Sequence, residues 1–362
     1  MKTYIPSLLL FLLFCTAAHA KSGGEIAAQI APLLNERTVV VAHVDLSQID
    51  LHDICEKATS QLEPFLVSLD LDEKSVQGIA REAKKLLLKG EKKVQKYLDT
   101  LIDKCGVTDV YWLFTDAPKT ADSKSPGTMG FVAIPLANRT TVQREALVSF
   151  LAEDFSFFLD ELDWKFELKF NSEIQEIDGF QILGTASPEQ FREFHGEADT
   201  KAKAVLEDAF KQSPEAILQV GVLFNEHTTN FGESLQPNSE VERQWGELFV
   251  AMTKKNRYGV FTFDVSKMAC TIILQANSES DAKGLEEDFQ TAAGLLGELV
   301  KEGMEEDKDT AFLAPFIAEF MKGSFKTVVP KRDGSRFAVQ YENEMIFSMI
   351  VNGLVGAAHF FR

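Results

Sequence analysis

The sequence predicts an α+β protein made of two tandem ferredoxin-like repeats, and three observations carry that prediction. Each half opens with a β-branched apolar run, TVVVAHV at 38–44 and AILQVGVLF at 216–224, which is the pattern of a buried strand. Each half then continues in the same order, with helices, a strand pair, a further helix and a hairpin. The hairpins are centred on Asp178-Gly179 and Asp333-Gly334, dipeptides that are typical of tight turns.

The elements follow from apolar periodicity and from the turn residues between them. In the first half they are a strand at 38–44, helices at 51–69 and 72–104, strands at 108–115 and 128–136, a helix at 141–159, and hairpin strands at 166–177 and 179–184. In the second half they are a strand at 216–224, a helix at 241–253, strands at 258–265 and 268–276, a helix at 278–300, and hairpin strands at 325–329 and 336–341.

Both halves therefore have the order β-α-β-β-α-β, extended by one hairpin strand and a helix. This is the split βαβ arrangement of ferredoxin-like folds. We expect antiparallel sheets with helices on one face, because that layering would bury the 29 phenylalanines between sheet and helices.

The order of elements divides the chain into four parts: a signal peptide at 1–20, a first α+β repeat at 21–196, a helical linker at 197–215 and a second α+β repeat at 216–362. The linker is expected to be helical because its apolar residues fall on one stripe, namely Ala202, Val205, Leu206, Ala209 and Phe210. The last segment, 345–361, has no Asp, Glu, Lys or Arg. It is interpreted as a buried closing helix, with a membrane anchor as the alternative, since its length is marginal for a span.

The first twenty residues have the pattern of a cleavable signal peptide. Lys2 supplies the positive charge, 8–14 form the apolar run, and Ala18-His19-Ala20 is a small-x-small cleavage site. The apolar run is too short to cross a hydrocarbon core of ~30 Å. We therefore expect cleavage after Ala20 and a mature protein that is secreted or periplasmic.

The composition of the 362 residues is that of an acidic globular protein. Hydrophobic residues make up 45% and charged residues 25% of the chain, which excludes disordered and collagen-like proteins. The 55 acidic residues outnumber the 37 Lys and Arg, and the formal net charge is −18. This charge argues against a nucleic-acid partner, which would require a basic face.

The cysteines are too few to form a disulfide framework. Three of the four remain after removal of the signal peptide. Cys55 and Cys105 flank the same helical region and are the candidate disulfide, whereas Cys270 lies in a strand-like run and is expected to be buried. The sequence has no CxxC spacing, so we predict no zinc site, and no other metal or cofactor is predicted.

No catalytic motif of high specificity occurs in the chain. GxSxG, HExxH, GxxxxGK[ST] and GxGxxG after a strand are all absent from the sequence. Because a catalytic triad can be assembled from distant residues, an enzyme is not excluded. The histidines at 43, 52, 195, 227 and 359 are interpreted as packed or surface residues, and no catalytic residue is assigned.

One basic segment contrasts with the acidic composition. Within the predicted helix at 79–101, seven cations lie close together: Arg81, Lys84, Lys85, Lys89, Lys92, Lys93 and Lys96. Apolar residues keep near-helical spacing beneath them. A helix packed by its apolar stripe, with solvated lysines, is the simplest interpretation. A contact with an anionic surface, such as lipid headgroups or an acidic polymer, is the alternative.

The opening segment VVVAHVDLSQIDL at 39–51, together with the later strand-strand-helix units, resembles uncharacterised secreted bacterial proteins built from duplicated α+β repeats. The resemblance implies the duplicated fold, and it implies no activity and no site residues.

Three functions are compatible with these observations. The first is a secreted or periplasmic non-enzymatic protein that binds an unknown protein or cell-envelope component. The second is a secreted hydrolase whose site is built from scattered Asp, Glu and His residues. The third is a protein in peripheral contact with a membrane, through the lysine-rich helix or through the C-terminal apolar segment.

Overall fold

The structure is a computed structural model, and it describes residues 21–68, 73–116, 128–154, 171–184, 200–212, 216–234, 239–264, 269–306, 328 and 330–342. The predicted signal peptide at 1–20 and the apolar segment at 345–361 lie outside the described residues.

The first half contains four helices and five strands among its described residues. They are α1 (Gly23–Ile30), β1 (Thr38–Asp45), α2 (Leu51–Ser68), α3 (Glu73–Asp99), β2 (Asp109–Asp116), β3 (Thr128–Pro135), α4 (Thr141–Ser149), β4 (Asn171–Ile177) and β5 (Phe180–Gly184). A π-helical turn follows α3 (Thr100–Lys104) and another follows α4 (Phe150–Asp154). Of these elements, only α1 was not predicted from the sequence.

The second half has the same order of elements among its described residues. They are α5 (Thr200–Phe210), β6 (Leu218–Leu223), α6 (Glu226–Ser234), α7 (Glu240–Lys255), β7 (Asn256–Asp264), β8 (Ala269–Ala276), α8 (Glu279–Glu306), β9 (Lys331–Asp333) and β10 (Arg336–Glu342). Helix α5 coincides with the predicted helical linker, and it precedes β6 as α1 precedes β1. Helix α6 was not predicted.

The described strands form a single antiparallel sheet in the order β4-β5-β3-β2-β1-β6-β7-β8-β10-β9. The α+β class is therefore confirmed. The ferredoxin-like repeats are not confirmed, because β1 pairs with β2 on one side and with β6 on the other. Each half contains one split β-α-β unit. In the first half, α4 connects β3 to β4 and β5 lies between these two strands; in the second half, α8 connects β8 to β9 and β10 lies between them.

Helices cover both faces of the sheet, so the prediction of helices on one face is wrong. On one face, α1 and α5 pack over side chains such as Val41, Leu113 and Phe131. On the other face, α2, α3, α4 and α8 pack over side chains such as Leu218 and Phe337. The physical reason is that the central strands carry apolar side chains on both sides, and both sides must be removed from water.

The centre of the sheet lies between β1 and β6. Val41 of β1 is directly opposite Gly221 of β6, and a Cβ at Gly221 would lie 2.8 Å from Leu206 of α5. Helices α1 and α5 meet above this point, where a Cβ at Gly23 would lie 2.3 Å from the backbone of Phe210. The two helices therefore approach each other at backbone distance, which only glycine permits.

The two halves also correspond residue by residue along one strand. Strand β2 begins Asp109-Val110-Tyr111 and β7 begins Asn256-Arg257-Tyr258, and both continue to a Phe-Thr pair with the same spacing. In β1, His43 is opposite Tyr111, while in β6 Leu223 is opposite Tyr258. These pairs occupy corresponding places in the two halves of the sheet.

The predicted turns are present. Asp178 and Gly179 both have positive φ, 48° and 80°, as the turn between β4 and β5 requires. Gly334 has φ 56° between β9 and β10. None of the helices in the described part of the chain is long and apolar enough to cross a membrane.

Candidate functional site

A buried polar cluster lies beneath α1, and we call it the α1 cluster: Lys21, Gln29, His43, Asp109 and Tyr111. Asp109 is its centre, since its Oδ1 is 3.0 Å from His43 Nε2 and its Oδ2 accepts from Lys21 Nζ at 2.6 Å. Gln29 of α1 accepts from Lys21 Nζ at 3.1 Å and from the Tyr111 hydroxyl at 2.8 Å. The cluster therefore joins α1 to β1 and β2.

The electrostatics of the α1 cluster favour an ionised Asp109. Burial alone would raise the pKa of this carboxyl group, but hydrogen bonds from His43, Lys21 and Thr108 outweigh burial and hold the pKa well below its ordinary range. Thr108 Oγ1 donates to Asp109 Oδ2 at 2.7 Å. Burial raises the pKa of Tyr111, and the charge of Asp109 adds to that effect. The phenol therefore stays protonated as a donor.

The His43–Asp109 pair of the α1 cluster is buried. His43 is 1% exposed and its ring lies 4.9 Å from the ring of Tyr111. Its Nδ1 atom is buried and has no hydrogen-bond partner among the described residues. A general base must reach the proton that it removes, and this imidazole reaches only Asp109 in the described part of the chain. The arrangement is that of a stabilising ion network.

The corresponding place beneath α5 has the same tyrosine but lacks the buried His–Asp pair. The Tyr258 hydroxyl donates to Asp208 Oδ2 of α5 at 2.9 Å. Leu223 stands where the first half has His43, and Asn256 stands where it has Asp109. Asn256 is 2% exposed, and its Nδ2 donates to the Met252 carbonyl at 2.8 Å. The first half therefore has a buried ion pair at this place, whereas the second half has a buried amide and an exposed carboxylate.

A second His–Asp pair lies at the other end of β2. Asp116 Oδ2 is 2.8 Å from Nδ1 of His227, the second residue of α6. The side chains are 13% and 21% exposed, so this pair is more accessible than the His43–Asp109 pair. A carboxylate on Nδ1 leaves Nε2 as the second ring nitrogen, which is the arrangement of a general base.

The predicted basic segment forms the outward face of α3. Arg81, Lys85, Lys92 and Lys96 follow the spacing that places residues on one helical face. Of the predicted contact residues, Arg81, Lys84, Lys85, Lys92 and Lys96 are exposed, and Lys74 extends the set. The side chains of Lys89 and Lys93 lie outside the described residues. We call the six described cations, with Leu88 among them, the cationic face.

The inner side of α3 is fixed by core packing. Val76, Ala80, Val94 and Leu98 are buried in the same cluster as α2 and the sheet. Glu91 is turned towards α2, where its Oε1 is 3.1 Å from His52 Nδ1. That hydrogen bond raises the pKa of His52. No exposed carboxylate occurs between Lys74 and Lys96 among the described side chains of α3.

Some cations elsewhere on the described surface form ion pairs. Lys211 pairs with Glu207 at 2.9 Å, and Arg243 pairs with Glu240 and Glu247. By contrast, Lys74, Lys84, Lys92 and Lys96 make no ion pair with any described residue. These four exposed lysines lie on one helix of a chain whose formal net charge is −18.

The side chains of Cys55 and Cys105 are buried in the same hydrophobic cluster. Burial raises the pKa of Cys55 to about 12, so the thiol is inert at neutral pH. Cys270 is buried, as predicted, and burial raises its pKa as well. The disulfide between Cys55 and Cys105 stays a prediction.

Sequence reasoning missed the α1 cluster and the His227–Asp116 pair. Two signals were available for the first. The Ser22-x-x-Glu25 capping box marks the start of α1, and the shared [Asp/Asn]-x-Tyr-x-x-Phe-Thr pattern marks β2 and β7 as counterparts. No local signal identifies the partner of His43, since Asp109 is 66 residues away in sequence.

No group of three or more His, Cys, Asp or Glu residues within the described ranges could hold a metal ion. Comparison of the whole chain with protein families, with curated proteins and with solved structures finds no match.

Proposed function

We propose that the protein is an exported, non-enzymatic binding protein that contacts an anionic partner of the cell envelope through the cationic face of α3. The observation that carries this proposal is that six described cations are exposed along α3, where the sequence between Lys74 and Lys96 has two carboxylates, Glu82 and Glu91. Acidic residues outnumber Lys and Arg in the chain as a whole, so a cluster of cations on one helix contrasts with the overall composition.

The dimensions of the cationic face fit an extended anionic surface. From Lys74 to Lys96 the helix rises about 33 Å at 1.5 Å per residue. Because the chain has a formal net charge of −18, an anionic partner is attracted most strongly where cations are clustered. The partner that fits is therefore one with repeated negative charges, not one with a single anion.

Leu88 favours an anionic lipid surface over a polymer. Its side chain is 44% exposed in the middle of the cationic face. An apolar side chain among lysines is the arrangement by which an interfacial helix adds burial to charge attraction. The described residues contain no membrane span, so this contact would be peripheral.

Vesicle binding tests the proposal. The mature protein is mixed with phosphatidylglycerol–phosphatidylcholine vesicles, with phosphatidylcholine vesicles and with polyglutamate, and the bound fraction is measured by sedimentation. A triple variant, Lys84→Gln, Lys92→Gln and Lys96→Gln, is compared with Lys211→Gln, Arg243→Gln and Lys254→Gln, which removes the same charge elsewhere.

We expect the α3 triple variant to bind anionic vesicles roughly a hundredfold more weakly, at about 1 kcal/mol per lysine. The control should lose much less, and added salt should weaken the wild-type contact. Equal losses in the two triple variants, or absence of binding to every anionic probe, would contradict the proposal.

The His227–Asp116 pair favours a hydrolase as the second candidate function. It is the more accessible of the two His–Asp pairs on β2, and a partly exposed imidazole held at Nδ1 can accept a proton at Nε2. A screen with chromogenic esters and glycosides tests this function. Turnover that His227→Asn abolishes without loss of folding would support it, and turnover that survives would exclude this pair.

The shared order of elements supports a further proposal about the architecture, namely that 21–196 and 216–362 are tandem repeats. The α1-to-β1 and α5-to-β6 connections place equivalent helices before equivalent strands. On this proposal the segment at 197–215 is the first helix of the second repeat as well as the connection to it.

A further inference from the structure

A groove of about 440 Å³ lies at the β8-β10-β9 end of the sheet. Its floor includes Ala338 of β10, which is opposite Ile273 of β8. Ile273 packs against Ala209 of α5, so the groove opens on the face that carries α1 and α5. The cationic face of α3 lies on the other side of the sheet, and the two sites are therefore separate.

Three cations border this groove. They are Lys331 and Arg332 of the edge strand β9 and Arg336 of β10. None of them forms an ion pair with a residue in the described ranges. The Nε atom of Arg336 is buried and has no hydrogen-bond partner among the described residues. An unsatisfied buried donor is costly unless a ligand or water completes its hydrogen bonds.

The groove is also lined by three polar side chains that are not cations. Asp333 lies opposite Arg336 across β9 and β10, and Thr271 lies opposite Gln340 across β8 and β10. A carboxylate, a hydroxyl group and an amide can accept and donate hydrogen bonds to hydroxyl groups of a ligand. A bare anion would gain nothing from Asp333, which would repel it.

We propose that this groove binds a small hydroxyl-bearing anion, of the class of sugar acids and sugar phosphates. Arg336 and Lys331 engage the carboxylate or phosphate group, and Asp333 accepts hydrogen bonds from the hydroxyl groups. The volume lies at the lower end of the range for small-molecule sites, which is about 300–1,000 Å³. This site is independent of the proposed contact through α3.

Calorimetric titration of the full mature chain tests the site. The probes are glucuronate and glucose 6-phosphate, with glucose and inorganic phosphate as matched controls that lack either the anionic group or the hydroxyl groups. The variants are Arg336→Gln and Lys331→Gln, with Lys211→Gln as the control for removal of a charge elsewhere. Circular dichroism verifies that each variant is folded.

We expect saturable binding of at least one anionic sugar, and about tenfold weaker binding by Arg336→Gln and by Lys331→Gln. Lys211→Gln should bind like the wild type, and so should the α3 triple variant, which separates this site from the proposed function. Binding of inorganic phosphate as tight as that of glucose 6-phosphate would overturn the ligand class. Absence of binding by either anionic sugar, or binding that both groove variants retain, would overturn the site.

Discussion

The two tyrosine sites of the sheet differ in charge although their frames are alike. Tyr111 lies beside His43 and Asp109 and is joined through Gln29 to Lys21. Tyr258 lies opposite Leu223 and donates directly to Asp208 on the helix above. The backbone pairing is the same in both halves, so the fold does not require the ions. What the ions add is a connection between the chain before α1 and two central strands.

In the first half, the buried carboxylate of Asp109 is matched by side-chain hydrogen-bond donors. Asp109 has three side-chain donors around it, and its counterpart Asn256 has none of the ionic ones and is neutral. The same strand pairing accommodates Asp109 in the first half and Asn256 in the second. Replacing one member of the His43–Asp109 pair would leave the other buried without its partner.

The largest expected effect comes from breaking the charged set. Asp109→Asn removes the ion that Lys21 and His43 share, and we expect the free energy of unfolding to fall by about 3 kcal/mol at pH 7. Urea unfolding measures the change. A loss below about 0.5 kcal/mol would show that the network contributes little.

The reverse substitution tests the neutral site. Asn256→Asp places a carboxylate where the side chain donates to the Met252 carbonyl, and no described cation bonds to this side chain. We expect a loss of about 2–3 kcal/mol at pH 7. The loss should be smaller at pH 4, because a protonated carboxyl group can donate to the same carbonyl. A pH-independent loss would contradict this explanation.

A double-mutant cycle measures the coupling free energy between His43 and Asp109. Asp109→Asn combined with His43→Leu gives the first half the residues of the second. The double variant should lose about 1–2 kcal/mol less than the sum of the single variants, because the two side chains contact each other. Additive losses would mean that His43 and Asp109 act independently.

Acid should remove part of the difference between wild type and Asp109→Asn. The pKa of Asp109 is lower in the folded protein than in the unfolded chain, so the unfolded chain binds the proton more tightly. The stabilisation is complete above the ordinary carboxyl pKa and is lost as the pH falls below about 4. Unfolding free energies of the two proteins at pH 6 and pH 3 measure this, and a difference that stays constant would refute it.

The smallest expected effect is that of the tyrosine hydroxyl groups. Tyr111→Phe should cost about 1 kcal/mol, since Gln29 is half-buried and keeps only Lys21 as a donor. Tyr258→Phe should cost less, because Asp208 is exposed and water replaces the phenol. Thermal unfolding of the two variants measures both losses of stability. A larger loss for Tyr258→Phe than for Tyr111→Phe would contradict this explanation.

Local patterns predicted most of this fold, and long-range pairing was beyond them. The Asp178-Gly179 turn, the apolar stripe of α5 and the solvated lysines of α3 follow from short-range rules of turn geometry and periodicity. The pairing of β1 with β6 does not, because a strand that is apolar on both faces offers two edges without specifying the partner of either. The pattern [Asp/Asn]-x-Tyr-x-x-Phe-Thr, which β2 and β7 share, is readable in the sequence.

In the candidate site too, local patterns predicted the exposed residues of a helix but not the contacts between distant residues. Exposure of the lysines on α3 was predictable from their spacing around a packed stripe. The hydrogen-bond donors around Asp109 were not predictable, because Lys21 lies before α1 and His43 is 66 residues away in sequence. The groove beside β9 depends on which strand forms the edge of the sheet, and element order alone does not determine that.

The antiparallel seam between β1 and β6 has a consequence for synthesis of the chain. When β1 has been synthesised, one of its edges lacks the strand that will cover it until β6 is complete, because β1 ends at Asp45 and β6 ends at Leu223. An uncovered apolar edge invites pairing with another chain. A chain truncated before α5 would meet this need by pairing β1 with β1 of a second copy about a two-fold axis, and a dimer in solution would be its signature.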